Sequence, residues 1–407
     1  METNPDTTIN SSNYNKKQFW SYKRLKSLGN NKTKKNIEKQ QYKLKSSQAS
    51  QSLPSHKKHK LFHIINDKVV TDRNLIERLE KIYIPPAYKD LVVAKSETNK
   101  IQVIGTDTKG RRQYIYNPNY TKKRNSRKYD DVMDLGKSII KIEKDNITML
   151  NELNKKNYSQ WVLPNDYIPI IIYMLRTYNF RIGNECYTND NNSYGITTLK
   201  KEHIHFLAKN NSNSKFKIEF IGKKGILNTY TDNNPIISNI LKVLIANASK
   251  DGFLFKYNNE ENKMKNSDIT KNLITPDHIH SFFQDKYNAY ITPKMFRTWY
   301  GNFHMLNYLN KLYKEDKLKK KMLKSEIKQL INNCSEHVSD KLNNTPTVSK
   351  KSYIDDKILN LVMKNPYTFS STIPDSNEEQ HIFLYKIILR LRHKDSKKDK
   401  MTNKNNV

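Results

Sequence analysis

The chain has 407 residues and carries 73 Lys and Arg against 40 Asp and Glu, a formal charge of +33 at neutral pH. A charge of that size repels itself in a compact state and is relieved by a polyanion. The composition therefore points to nucleic acid, and no apolar run approaches the ~20 residues of a membrane helix. Cys186 and Cys334 are the only cysteines; one disulfide would not staple a chain this long, so a reducing intracellular compartment is expected.

Residues 1–60 hold 14 Lys and Arg against Glu2, Asp6 and Glu38, and their apolar residues are sparse and aperiodic. Such a segment buries too little surface to offset its ordering entropy, which predicts a disordered basic arm. Lys68-Val69-Val70 then has strand character, and Asn74–Ile82 has the spacing of a short helix that Pro85 and Pro86 stop. Ile101–Gly105 and Arg112–Tyr116 read as strands joined by a turn over Thr106–Gly110. Residues 61–125 are thus predicted to be a small β-rich domain. From Tyr129 onward Val132, Leu135, Ile139 and Ile140 recur at helical spacing, and Ile170–Leu175 reads as a buried helix segment. Lys215–Ile221 alternates apolar and charged residues, Gly222-Lys223-Lys224-Gly225 is a turn, and Ile226–Thr231 is the return strand. Leu323, Ile327, Leu330, Ile331, Cys334 and Val338 form a further helical stripe that should end by Asn343–Pro346, with helix resuming over Tyr353–Met363. Residues 126–392 are predicted to be a larger, mainly helical domain, and 393–407 a disordered tail.

The chemistry available is narrow. Gly222-Lys223-Lys224-Gly225 lacks the spacing of a phosphate-cradling P-loop. His203 with His205, and His278 with His280, lack the Cys or carboxylate cluster that would complete a metal set, and Cys334 and His337 form a single CxxH. Asp130-Asp131 and Asp355-Asp356 read as solvated helix ends. No cofactor and no metal are expected. Arg, Lys and Tyr remain, a set suited to phosphoryl transfer without metal: guanidiniums clamp the non-bridging oxygens, an ammonium protonates the leaving alkoxide, and a phenol attacks.

Several stretches resemble the poxvirus-type (viral and bacterial) type IB DNA topoisomerases. Ile84–Asp90 (IPPAYKD) is similar to their IPPAWxD, Gly105–Tyr116 (GTDTKGRRQYIY) to GxDxKGRxQYxY, and Arg181–Leu199 (RIGNECYTNDNNSYGITTL) to RIGN…YGLTTL. Phe220–Lys223 (FIGK) resembles FxGK, Phe296–Trp299 (FRTW) the catalytic-helix FRTW, and Asn344–Tyr353 (NTPTVSKKSY) NTPxVxRKSY. The order agrees across about residues 65–390. The resemblance implies an α+β fold: a small β-rich N-terminal domain and a mainly α-helical catalytic domain of the kind shared with tyrosine recombinases, closing as a clamp around DNA.

It also implies roles. Tyr353 would be the nucleophile and form a 3′-phosphotyrosyl link. Arg181 and Arg297 would clamp the scissile phosphate, and Lys223 would protonate the 5′-oxygen. Asn344 stands where many members have a phosphate-contacting histidine. Lys109, Arg111, Arg112, Gln113, Tyr114, Tyr116, Tyr187 and Lys294 would contact DNA, with Lys122, Lys123, Arg124, Arg127 and Lys128 on the backbone at the domain junction. The implied activity is relaxation of supercoiled double-stranded DNA, by a monomer, without ATP or metal, in a nucleus, viral factory or virion of a large DNA virus. A tyrosine recombinase and a non-enzymatic DNA-packing protein are the rival readings.

Overall fold

A computed structural model describes residues 18–25, 62–185, 188, 192–207, 214–258 and 271–404, with the backbone alone at 25, 62, 125–127, 258, 271 and 393–404. The chain divides into two compact units, Met1–Ser126 and Arg127–Val407.

The first unit is built on a six-stranded sheet. Its strands are β1 (Phe19–Leu25), β2 (Phe62–Ile65), β3 (Lys68–Val69), β4 (Lys89–Ala94), β5 (Ile101–Thr106) and β6 (Arg112–Tyr116), in the order β3-β2-β1-β4-β5-β6. Each described pairing is antiparallel. One helix, α1 (Arg73–Lys81), lies between β3 and β4 in the chain. Asp72 caps it by accepting from Leu75 N–H at 3.1 Å. Tyr22, Leu79, Ile84, Val93 and Val103 form the core, with Trp20, Leu91 and Ile115 packed against them.

β1 corrects the expectation of a structureless arm over 1–60. Trp20 and Tyr22 alternate onto the core face and pair with Val93 and Ile65. Their signal is short and set in a Lys-rich context, and their partners lie some forty to seventy residues downstream, where no local periodicity reports them. The rest of the predicted arm lies outside the described residues. β4 was likewise not anticipated, because Lys89 and Asp90 dilute its apolar end.

The second unit is helical around a small sheet. It opens in α2 (Pro118–Leu153), which starts earlier than the spacing from Tyr129 suggests and runs across the boundary between units. All six residues of α3 (Ile168–Tyr173) are buried. A single π-helical segment, Met174–Tyr178, continues it and stops at Asn179 in the left-handed region, φ 54°. β7 (Ile204–Phe206), β8 (Phe216–Ile221) and β9 (Leu227–Asp232) form a three-stranded sheet. Phe216, Ile218 and Phe220 point inward and are buried, as the alternation predicts. There follow α4 (Pro235–Ala246), the paired strands β10 (Lys256–Asn258) and β11 (Lys271–Leu273), α5 (Pro276–Tyr287), α6 (Pro293–Lys314), α7 (Lys324–Leu342), α8 (Pro346–Ser352), α9 (Asp356–Lys364), α10 (Pro366–Ser371) and α11 (Asn377–Lys404). α4, α5, α6, α8 and α10 all begin on proline, whose missing N–H costs nothing in the first turn.

Two expectations change here. Tyr353 does not start a helix: it is the C-cap of α8, with φ −128° and ψ −24°, and α9 begins after Asp355. The segment from His393 was expected to lack structure, whereas the backbone of α11 continues to Lys404.

Candidate active site

Tyr353 is half-buried and is approached by residues from four parts of the second unit. α6 supplies Arg297, which is 3% exposed. The partners found for its guanidinium among the described residues are the carbonyls of Asn179 and of Leu342, the latter at 2.6 Å, and the Tyr353 hydroxyl, with Arg297 Nε at 3.5 Å. A cation so buried is costly unless polar partners or an anion compensate it. Carbonyls and a phenol take that place. Burial draws this guanidinium down to about 10, so it remains charged at neutral pH.

The left-handed turn at Asn179 both presents that carbonyl and redirects the chain toward Arg181. Arg181 Nη2 donates to Asn344 Oδ1. A guanidinium has no acceptor, so this bond fixes the amide orientation and turns Asn344 Nδ2 elsewhere. That nitrogen is buried with no hydrogen-bond partner among the described residues. Arg181 is further fixed by main-chain pairing, with Ile196 N–H donating to the Arg181 carbonyl at 2.9 Å. A Cβ on Gly195 would fall 2.4 Å from Gly183 N, so these two backbones meet only because both residues lack side chains.

Lys223 and Lys224 occupy the turn between β8 and β9, Lys224 in the left-handed region at φ 68°. The hairpin is tied to the Arg181 segment at two places. Tyr194 N–H donates to the Ile221 carbonyl at 2.8 Å, and the hydroxyls of Tyr173 and Tyr178 donate to Asp232 Oδ2 at 2.9 and 2.6 Å. The Lys223 ammonium is depressed below the usual lysine range by partial desolvation and then by Arg181, while Tyr353 opposes the change.

The phenol itself is shifted. Burial raises the Tyr353 pKa, but the Arg297 charge and hydrogen bond, followed by Arg181 and Lys294, outweigh it and bring the group below the ordinary tyrosine value. The structure thus brings Tyr353, Arg181, Arg297, Lys223 and Lys294 within electrostatic reach of one another, with Asn344 on Arg181.

Sequence reasoning missed several neighbours. Gly301 lies one turn beyond Arg297 on α6, and a Cβ there would stand 2.9 Å from Tyr353 Cβ. Asn302 Nδ2 donates to the Tyr353 carbonyl at 3.0 Å. The i, i+4 relation of Gly301 to Arg297 was a usable signal; Asn302 had none. Lys128, assigned to the domain junction, has its Nζ 5.9 Å from the Tyr353 ring centre.

The residues expected to contact DNA from the first unit lie on β6 and on the β5–β6 turn. Alternation along β6 puts Arg112, Tyr114 and Tyr116 on one face, and Gln113 on the other with Ile115, which packs on the core. Asp107, not singled out from the sequence, organises the β5–β6 turn. It accepts from the N–H groups of Lys109 and Arg111 at 2.9 and 3.0 Å, from Arg111 Nε and Nη2 at 2.9 and 2.7 Å, and from Gln113 Nε2 at 3.0 Å. The Arg111 bond holds its carboxyl down at about 2. Gly110, at φ 74°, completes the turn. Tyr116 stacks with Tyr120 at 5.9 Å, and Arg124 lies 5.5 Å from the Tyr116 ring centre. Tyr187 lies outside the described residues. The histidines set aside as metal candidates serve locally: His203 Nδ1 and His278 Nδ1 accept from the N–H groups of Lys200 and Thr275, at 3.1 and 3.0 Å. Among the described residues no group of three or more His, Cys, Asp or Glu is placed to hold a metal ion, and no helix is long and apolar enough to cross a membrane.

The chain matches a family model described as eukaryotic DNA topoisomerase I, catalytic core, over residues 117–373, and one described as bacterial DNA topoisomerase IB, N-terminal domain, over 62–107. It is 30% identical over 331 residues to DNA topoisomerase 1B of Acanthamoeba polyphaga mimivirus, covering 81% of this chain and 91% of that one. Identity to DNA topoisomerase 1 of Rabbit fibroma virus is 25% over 289 residues, with 70% and 80% covered. For DNA topoisomerase I of Monkeypox virus it is 25% over 319 residues, with 75% and 88% covered.

Proposed function

This chain belongs to the type IB DNA topoisomerases, isomerases that relax supercoiled DNA, and from that premise we propose how its residues carry the reaction. The Tyr353 phenolate attacks the scissile phosphorus. The bond to the 5′-oxygen breaks as Lys223 gives that oxygen a proton, leaving DNA joined through its 3′-phosphate to Tyr353. The broken strand swivels. The 5′-hydroxyl then attacks the same phosphorus, its proton returns to Lys223, and the phenolate leaves. The ester energy is conserved in the phosphotyrosine, so the cycle consumes no ATP.

Arg181 and Arg297 bind the non-bridging oxygens, where negative charge concentrates in the transition state. The three bonds found for Arg297 do not use all five guanidinium N–H groups. Asn344 Nδ2, buried and with no partner among the described residues, supplies a further donor for a phosphate oxygen. Its neighbour Arg181 supports this reading, because an anion arriving there meets a cation and an aligned amide together.

The observation that carries the proposal is that separate segments bring cations to Tyr353, with Arg297 Nε 3.5 Å from its hydroxyl, and these lower the phenol's pKa against its partial burial. The test is to trap the adduct on a suicide DNA substrate and map the modified residue by mass spectrometry. Tyr353→Phe should abolish both the adduct and plasmid relaxation while leaving DNA affinity within a few-fold. An adduct on another tyrosine overturns the assignment.

The finer expectations join this proposal. The two units close on duplex DNA as a clamp, to which Arg112, Tyr114, Tyr116, Lys109, Arg111, Gln113, Tyr187 and Lys294 contribute. The protein acts as a monomer, so relaxation per molecule should be independent of protein concentration at high dilution. It acts on double-stranded DNA in the nucleus, viral factory or virion of a large DNA virus, as the viral relatives support.

A further inference from the structure

The main chain around Tyr353 is held at four consecutive residues. Lys128 Nζ donates to the Ser352 carbonyl, Asn302 Nδ2 to the Tyr353 carbonyl at 3.0 Å, and the Tyr129 hydroxyl to the Ile354 carbonyl at 2.6 Å. Asp355 N–H donates to Asn302 Oδ1 at 2.8 Å. Ser352 ends α8, and the N–H groups of Tyr353 and Ile354 still donate to the Ser349 carbonyl at 3.0 and 3.1 Å; the carbonyls from Ser352 to Ile354 are held by side chains from other elements.

Asp355 is the anchor of this stretch and is 1% exposed. Its Oδ1 accepts from Lys357 N–H at 2.9 Å, capping α9, and its Oδ2 accepts from Arg392 Nη2 of α11 at 2.5 Å. Arg392 also lies 3.4 Å from Asp130 Oδ1, and its guanidinium stands 5.3 Å from the Tyr129 ring centre. It therefore joins the carboxylate two residues after the nucleophile to the helix carrying Tyr129 and Lys128.

We propose that Arg392 is a positioning residue for strand cleavage: through its ion pair with Asp355 it sets where the Tyr353 hydroxyl stands relative to Arg297 and the scissile phosphate. The inference rests on Tyr353 being the nucleophile. A buried pair is a poor source of stability, because desolvation cancels most of the attraction. Its directional consequence is larger, since the pair orients a carboxylate whose own N–H and cap fix the next turn of chain. A displacement of about 1 Å at a reacting atom costs about 100-fold in rate.

Arg392→Met keeps the side-chain stem but loses the charge. Asp355→Asn keeps the volume and a capping oxygen for α9, and it carries the test if Arg392→Met does not fold. Single-turnover cleavage of a suicide substrate is measured at saturating enzyme and below each variant's melting temperature. Noncovalent affinity is measured for the same changes in a Tyr353→Phe background. Each variant should cleave about 10- to 100-fold more slowly with affinity changed less than about twofold. Arg392→Lys should recover part of the rate, and the double variant should be no slower than the slower single. Variants that cleave at the wild-type rate, or that lose affinity in proportion to rate, overturn this proposal alone. A wild-type protein that forms no adduct on Tyr353 overturns the nucleophile assignment and this proposal with it.

Discussion

Burial alone holds a phenol neutral, because the phenolate loses its hydration. At Tyr353 that penalty is exceeded by Arg297 at hydrogen-bond distance, with Arg181 and Lys294 adding to it. The phenolate is the attacking form, so a lowered pKa means more of it at any given pH. Cleavage should therefore begin to rise below the ordinary tyrosine value of about 10, and fall again as Lys223, itself depressed, loses the proton it must give. Lys294→Met removes one lowering charge; the rise should move to higher pH and the rate near pH 7 should fall several-fold, read by single-turnover cleavage. A midpoint that does not move would remove Lys294 from the electrostatics. Asn344 has no titration of its own, whereas histidine changes charge near pH 6.5. Asn344→His should add a step between about pH 5 and 8 to the cleavage profile. Superimposable profiles would show that this side chain does not touch the phosphate.

At the scale of elements, α6 is the part whose position matters most. It buries Phe296, Trp299, Met305, Leu306 and Leu309 completely. Each such side chain contributes about 1.5–3 kcal/mol, so together they exceed the ~1–3 kcal/mol of one overpacked methyl group. A Gly301→Ala substitution therefore leaves the helix in place and pushes on Tyr353, whose carbonyl would lie 3.1 Å from the new Cβ. We expect the cleavage rate to fall at least tenfold with a melting temperature lowered only by a few degrees. A variant that keeps its cleavage rate would show that the Tyr353 segment yields without cost. The β8–β9 hairpin behaves differently: it is tied at its base through Asp232 and beside its turn through Ile221, while Lys223 and Lys224 remain exposed in the turn. A general acid on an exposed turn has room to reach a leaving oxygen.

At the scale of the molecule, the +33 charge governs association. Each phosphate neutralised releases counterion, so affinity for a plasmid or a long duplex should fall steeply with salt. If the two units close on the duplex, at least about six phosphate contacts are expected, and affinity should fall about 1,000-fold or more between 50 and 200 mM salt. A flat dependence, measured with Tyr353→Phe so that no covalent species intervenes, would contradict the clamp.

The sequence by itself determined the chemistry available and the order of the elements that carry it. Arg, Lys and Tyr with no metal or nucleotide pattern defined a reaction type. The alternation over Phe216–Phe220 set the hairpin, and the stripe from Leu323 to Val338 set α7, because pleat and helical period are local properties. Only the tertiary structure decided what meets what. It put Trp20 and Tyr22 into a sheet with strands far along the chain and made Tyr353 a helix C-cap. It split Gln113 from Arg112, Tyr114 and Tyr116, gave Arg297 carbonyls for partners, and joined Arg392 to Asp355. For Trp20, Tyr22, Arg297 and Arg392 the physical reason is the same: these contacts span tens to hundreds of residues, and a hydrogen bond or ion pair across that distance leaves no periodic trace in the chain.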